Sequence, residues 1–427
     1  MKHRVVIVGG GAGGLELATK LGKRFARSEQ ASITLVDANL THIWKPLLHE
    51  VAAGSLSAAT EELNYHAQAK WNHFTFVLGR MDGLNRAKKS IILQAVTDHE
   101  GIELLPARTL NYDTLMIAVG STSNDFGIEG AREHTVFLDT RKQADLFHHK
   151  LLSAYLRSSA HPDQTNTVSV AIVGAGATGV ELAAELRHAA QELSSYGMGH
   201  IAPENLKITL IEAGPRILPA LPERISTPVL QTLKKLGIDV MVDSAVSSID
   251  EAGLTTRDGL RIESALKVWA AGIRAPLFLK DLAGLETNNI NQLVVGASLQ
   301  TTRDESIFAF GDCAACFDTN TGRNVPPRAQ AAHQQASMLV DSIAAIIKGK
   351  SLPLYKYKDY GSLVSLSKFS AVGNLMGGMK LEGHLARYFY MSLYQMHQVA
   401  LYGVVRTTLS IIGSFLGNRI KPALKLH

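Results

Sequence analysis

Short apolar runs that close on glycine, each followed by an apolar stripe at helical spacing, set the grammar of this chain. Arg4-Val-Val-Ile-Val8 has the pattern of a buried strand, runs into Gly9-Gly-Gly11-Ala-Gly-Gly14, and is followed by Leu15, Leu17, Ala18 and Leu21 on one helical face. A second strand is predicted over Ser32–Val36 and ends in Asp37. The same order returns at Val168–Val173, Gly174-Ala-Gly176-Ala-Thr-Gly179 and a helix with Leu182, Ala183 and Leu186. A longer insertion around Tyr196-Gly-Met-Gly199 precedes the strand Lys207–Ile211, which ends in Glu212. Two further buried strands close on a small residue and glycine, at Gly120 and Gly272, one for each copy, and a late strand Ile307–Phe310 ends in Gly311-Asp312. From Ala329 a helix is predicted, with Ala332, Ala336, Leu339 and Ile343 on its apolar side and Gln330, Gln334, Ser337 and Asp341 along a polar line.

At 427 residues the chain exceeds one ordinary hydrophobic core, and 46% apolar residues with 19% charged residues exclude a disordered or fibrous protein. The net charge of +5 is modest for this length and by itself leaves open nucleic acid, a lipid headgroup surface or no anionic partner; its location decides, and no nucleic acid partner is expected. The start carries too short an apolar run for a secretory signal. Cys313 and Cys316 are the only cysteines, too few for a disulfide framework, which argues for a reducing cytoplasmic setting. They form a C-x-x-C that could hold a soft metal or a redox couple, although two ligands make a poor site and two small buried residues are the plainer reading.

The duplicated turn carries the chemistry. In G-x-G-x-x-G the first glycine makes the tight turn, the second lets backbone approach a pyrophosphate, and the third lets helix and strand pack closely; the phosphates then sit on the helix N-terminus. Gly9, Gly11 and Gly14 fill these places in the first copy, Gly174, Gly176 and Gly179 in the second. Asp37 and Glu212 lie where an acid accepts a ribose hydroxyl, and Glu212 favours NADH over NADPH by repelling a 2′-phosphate. The expected fold class is α/β, with two Rossmann-like dinucleotide-binding domains and a C-terminal amphipathic helical membrane-docking segment.

With these pieces in order, the chain resembles the two-dinucleotide-binding-domain flavoproteins, and more closely the bacterial type II, non-proton-pumping NADH:quinone oxidoreductases. The likeness is carried by Trp44-Lys-Pro-Leu-Leu-His-Glu50, by Gly174 to Glu181 with its Thr-Gly-Val-Glu ending, and by Val325-Pro-Pro-Arg-Ala-Gln-Ala-Ala-His-Gln334, which matches the family's A-Q-x-A-x-Q quinone motif at Ala329, Gln330, Ala332 and Gln334. The resemblance implies FAD on Gly9, Gly11, Gly14, Asp37, Lys45, Gly120, Gly311, Asp312 and Ala332. It implies NADH on Gly174, Gly176, Gly179, Glu181, Glu212 and Gly272, and a quinone, ubiquinone or menaquinone, beside Glu181, Gln330 and Gln334. Glu181 and His333 are candidates for proton handling. Read alone, the two glutamines make a solvated polar stripe, His333 a packed imidazole and Asp312 a helix cap. Relatives that relay electrons through a disulfide place a cysteine pair just after the first nucleotide unit; this chain has Trp44 to Glu50 there.

The implied layout is an FAD domain from 1–120 and 296–380, an NADH domain at 165–295, with the polar stretch Ser158–Asn166 as a boundary, and a docking tail at 381–427. No stretch offers about 20 uninterrupted apolar residues. Phe389, Leu393, Met396 and Ala400 form an apolar stripe among tyrosines, and Val399–Gly417 is interrupted by Arg406. Arg387, Arg406, Arg419, Lys421 and Lys425 stand against the single Glu382, which suits an interfacial helix on anionic inner-leaflet lipid at the cytoplasmic face of the inner membrane. The family is often dimeric, so a homodimer enters the expectation. Two other readings stay open: a soluble NADH-dependent flavin reductase acting on a small redox protein or a metal ion, and a nucleotide-sensing interaction protein.

Overall fold

The computed structural model describes residues 2–28, 30–160, 167–195, 203–367, 370–375 and 379–418. The insertion at Tyr196–Gly199, most of the connector before Val168, and Arg419, Lys421 and Lys425 lie outside them. Two compact units divide the chain: Met1–Trp44, Glu62–Thr122 and Ile273–Asp359 make the first, and Lys45–Glu61, Ser123–Gly272 and Tyr360–His427 the second.

In the first unit the strand His3–Val8 lies between two parallel neighbours, Ala31–Asp37 and Thr114–Ile117, inside a nine-stranded sheet. Val5 to Val8 are all buried, as a strand covered on both faces requires. Thr114–Ile117 pairs in turn with Asp304–Ala309, which delivers Gly311-Asp312 beside the glycine turn. The helices Ala12–Phe25 and Ala329–Ile347 pack together. The polar line expected on the second of them stays partly solvated, Ser337 and Asp341 being exposed, yet these two residues also meet the first helix. Glu16 and His333 Nδ1 are hydrogen-bonded, Lys20 Nζ donates to Ser337 Oγ at 2.8 Å, and Arg24 reaches Asp341 at 2.6 Å. Each rung is four residues beyond the last on both helices, the repeat that puts side chains on one face.

In the second unit the order Val136–Phe137, Leu266–Trp269, Val168–Val173, Leu206–Ile211, Ile238–Met241 makes a five-stranded parallel sheet. Trp269, 1% exposed, packs with Phe137, Val173 and Ile211 in its core. Two excursions join this unit that sequence alone places elsewhere. Lys45–Glu61 carries the Leu48–Ala53 helix onto the helices Arg141–Ala160 and Ala177–Ser195. Gly361–Ser367, Ser370–Leu375 and Met379–Glu382 form an antiparallel sheet against which the Gly383–Tyr402 helix packs through Ala371 and Ala386. Residues 360–380 therefore group with the tail, and 273–295 with the first unit.

The tail itself differs from the single interfacial helix expected over Val399–Gly417. Gly403 adopts φ +79° and splits it into Gly383–Tyr402 and Val404–Asn418. A residue with a side chain rarely takes that backbone angle, so one glycine ends the first helix. Among the described residues no helix is long and apolar enough to cross a membrane.

Candidate active site

The glycine turn of the first unit is closed by backbone contact. A Cβ on Gly9 would overlap the Ala118 carbonyl, and one on Gly14 would overlap the carbonyl oxygen of Gly9, whereas a Cβ on Gly11 or Gly120 meets nothing within 4 Å. The first two glycines are thus needed by the fold, and the last two leave room for a ligand against bare backbone. Asp37 Oδ2 accepts from Gly10 N at 2.7 Å, and its Oδ1 from Asn39 N at 2.8 Å. The carboxylate is fixed by the turn it serves.

Behind the turn stand two residues that motif spacing does not reveal. Tyr65, 2% exposed, donates its hydroxyl to the Gly10 carbonyl at 2.7 Å, and burial raises its pKa well above the usual phenol value. His42, 4% exposed, also hydrogen-bonds to the Gly10 backbone; burial, with a smaller push from His333, lowers its pKa to about 4.

Asp312 caps no helix, since a single 3-10 turn, Gly311–Cys313, leads into the strand Ala314–Asp318. Its Oδ2 instead accepts from Ser121 Oγ at 2.9 Å, and its backbone carbonyl from Gln292 at 2.8 Å. Gly311 N donates to the side chain of buried Gln335 at 2.7 Å. This third glutamine of the helix, one position past the motif, is the one that reaches the Gly311-Asp312 corner. Ala332 is small for a reason: a Cβ on Gly13 would come within 3.1 Å of its methyl, and one on Gly311 within 3.5 Å. Gln330 bonds to Asp359 at 3.3 Å, and Gln334 takes both backbone-directed bonds of Lys358, at 2.8 and 3.0 Å. Glu16, 3% exposed, is the charge at the base of this helix pair. Burial alone would raise its pKa, but His333 and then Lys20 outweigh that and bring it below the ordinary carboxylate value.

The second unit repeats the construction. A Cβ on Gly179 would overlap the Gly174 carbonyl oxygen, and Gly176 is open. Glu212 Oε2 accepts from Ala175 N at 2.9 Å and its Oε1 from Gly214 N at 2.9 Å, the counterpart of Asp37 on Gly10. Gly174 rests on Ala271, next to Gly272. Glu181, 7% exposed, accepts from Ser365 N at 2.9 Å through Oε1, and its Oε2 lies 3.7 Å from His49 Nδ1. His49, 3% exposed, was visible only as a member of the Trp44–Glu50 motif; the excursion of that segment into the second unit brings it here. Lys45, expected with the first cradle, bonds to Asp139 at 3.0 Å within the second unit.

Comparison with known proteins supplies the family. The type II NADH:quinone oxidoreductase of Haemophilus influenzae is 48% identical to this chain over 442 residues, covering 99% of both. The chain belongs to the type II NADH:quinone oxidoreductases. The corresponding enzyme of Mycobacterium tuberculosis is 28% identical over 98% of this chain and 89% of its own length. The fold matches NDH2 of Plasmodium falciparum, solved in complex with NADH, with a TM-score of 0.84 over the whole of both chains at 20% identity. Residues 3–336 match the wider pyridine nucleotide-disulphide oxidoreductase family. Unlike a disulfide-relaying relative, this type II enzyme has only Cys313 and Cys316, both buried and free. Burial raises their pKa values to about 12 and about 11, so both stay protonated thiols.

Proposed function

We propose that the first unit holds FAD, the second holds NADH, and the chain passes two electrons from NADH to a membrane quinone without pumping protons. The observation that carries the reading is the paired construction: a glycine turn whose first peptide N–H is held by an acid, once through Asp37 and once through Glu212. Two such cradles in one chain suit two dinucleotides. Bound flavin supplies the two-electron chemistry between a hydride donor and a quinone.

The protein's own residues supply placement. In the first unit Gly9 and Gly14 let the turn close so that Gly11 would present backbone to the pyrophosphate, Asp37 would take the adenosine ribose, Gly120 would leave space at the strand end, and Gly311 and Asp312, braced by Ser121 and Gln335, would hold the polyol chain. In the second, Gly174 and Gly179 close the turn, Gly176 would take the pyrophosphate of NADH and Glu212 the ribose. Glu181 is the carboxylate proposed to stand next to the nicotinamide and the quinone, with His49 Nδ1 3.7 Å away. Gln330 and Gln334 act for the quinone by pinning Lys358 and Asp359, so that this stretch forms a fixed wall. Anaerobic addition of NADH should bleach the flavin band, and a short-chain quinone should restore it. Bleaching that quinone fails to reverse would leave the flavin assignment standing and remove the quinone.

The membrane contact we assign to the tail, on the anionic cytoplasmic leaflet. Val404, Val405 and Leu409 are 67%, 74% and 64% exposed on the last helix, beside exposed Arg406. That mixture suits a helix lying in the headgroup region. Replacing Val405 and Leu409 together by glutamate should cut binding to vesicles containing anionic lipid by roughly tenfold or more, with the melting temperature unchanged. If vesicle binding persists while a dimer falls apart, a second copy of the chain covers this face instead.

A further inference from the structure

From the second unit we infer that Phe126 is a nicotinamide-side contact for NADH, setting where the reactive end of the dinucleotide comes to rest. The inference deepens the assignment of NADH to this unit and rests on it. Sheet order supplies the direction. The fingerprint strand Val168–Val173 lies between Leu206–Ile211, which ends at Glu212, and Leu266–Trp269, which leads to Gly272. Ligands of parallel sheets lie across the carboxyl ends of the strands. With the adenosine ribose on Glu212 and the pyrophosphate at the turn, the remaining half must run the other way, over the end of Leu266–Trp269.

The residue waiting there is Phe126. Its ring edge lies against Gly272, so that a Cβ on Gly272 would overlap Cζ and come 2.7 Å from Cε2. The ring is 61% exposed, a large apolar face left uncovered at a strand end. Its backbone is held in the left-handed region at φ +53°, where a bulky residue is an outlier. Glycine would take that angle without strain, so the backbone gives no reason for phenylalanine here. The loop beneath is firmly fixed. Trp269 Nε1 donates to the Asn124 carbonyl at 2.8 Å, Asn124 N donates to Gly272 O at 3.3 Å, Phe126 N donates to the Asn124 side chain at 3.1 Å, and Asp125 is ion-paired with Arg132. A strained, exposed aromatic ring on a rigid support is a flat apolar wall. Planar rings and the sugar edge pack well against such a wall.

The test compares NAD⁺ with ADP-ribose, which carries the adenosine and pyrophosphate but no nicotinamide, titrated into the flavin-loaded full chain. Phe126→Gly should raise the Kd for NAD⁺ about three- to tenfold, leave that for ADP-ribose changed by less than about twofold, and not lower the melting temperature. Phe126→Tyr should restore NAD⁺ binding. Should Phe126→Gly fail to fold, Phe126→Leu carries the same comparison. Unchanged NAD⁺ binding, or equal loss for both ligands, overturns the proposal. Gly176→Val separates the underlying reading: it should weaken both ligands together, and intact ADP-ribose binding in that variant would dismiss the cradle itself whatever Phe126 does.

Discussion

Gly14→Ala should purify without its yellow colour, while Gly179→Ala should keep the colour and lose reduction by NADH. In each case the new methyl group meets the carbonyl oxygen of the first glycine in its own turn. Backbone cannot swing aside as a side chain can, so the turn must open or the helix must lift from the strand. Overpacking of this kind costs about 1–3 kcal/mol, equivalent to a loss of about 5- to 150-fold in affinity for whatever the turn binds. The measurement is the ratio of flavin to protein absorbance, followed by anaerobic titration with NADH. A coloured Gly14→Ala protein would mean that flavin sits elsewhere, and a Gly179→Ala protein still bleached by NADH would break the division of labour between the turns.

Acid should loosen the flavin turn before it unfolds the rest of the molecule. His42 is neutral and buried, and burial lowers its pKa from 6.5 to about 4. Because the folded value is depressed, the unfolded chain takes up the proton first. The stability this histidine contributes is whole above pH 6.5, and falls away as pH drops from there through about 4. That interval corresponds to about 3 kcal/mol. Glu16 works in the same direction lower down, since its depressed carboxyl contributes above the ordinary carboxylate value and less as it becomes protonated. His42→Gln, which cannot charge, should flatten the pH dependence of the denaturation midpoint between 6.5 and 4, and should release flavin at a lower pH than the parent. Parallel curves for the two proteins would show that His42 does not govern the turn.

What could be read directly from the chain was whatever the backbone decides over a short span. Glycine spacing, the strand before it and the acid after it lie within one strand–helix–strand stretch, so Gly9 to Asp37 and Gly174 to Glu212 are legible as units. His42, Tyr65, Ser121, Gln335 and His49 were not, because each is a lone side chain delivered by tertiary folding. Tyr65 is 55 positions from Gly10 and has no periodicity that marks it. Chain excursions hide for a similar reason: nothing about Lys45–Glu61 in sequence says that its short helix crosses to the other unit. The polar line from Gln330 to Asp341 was visible as a pattern, but the partners that tie Ser337 and Asp341 to the neighbouring helix, Lys20 and Arg24, lie 317 positions away.

On the proposed assignment the acid after each second strand both holds its turn and meets a ribose, and this restrains how coenzyme choice can drift. Glu212 uses both oxygens on peptide N–H groups, at Ala175 and Gly214. A change that welcomes an extra phosphate by deleting this carboxylate also unfastens the loop on which the coenzyme must lie. Acceptance of NADPH therefore calls for at least two coordinated changes, one to remove the repulsion and one to re-anchor the loop, and single-step variants should pass through a poorly working intermediate.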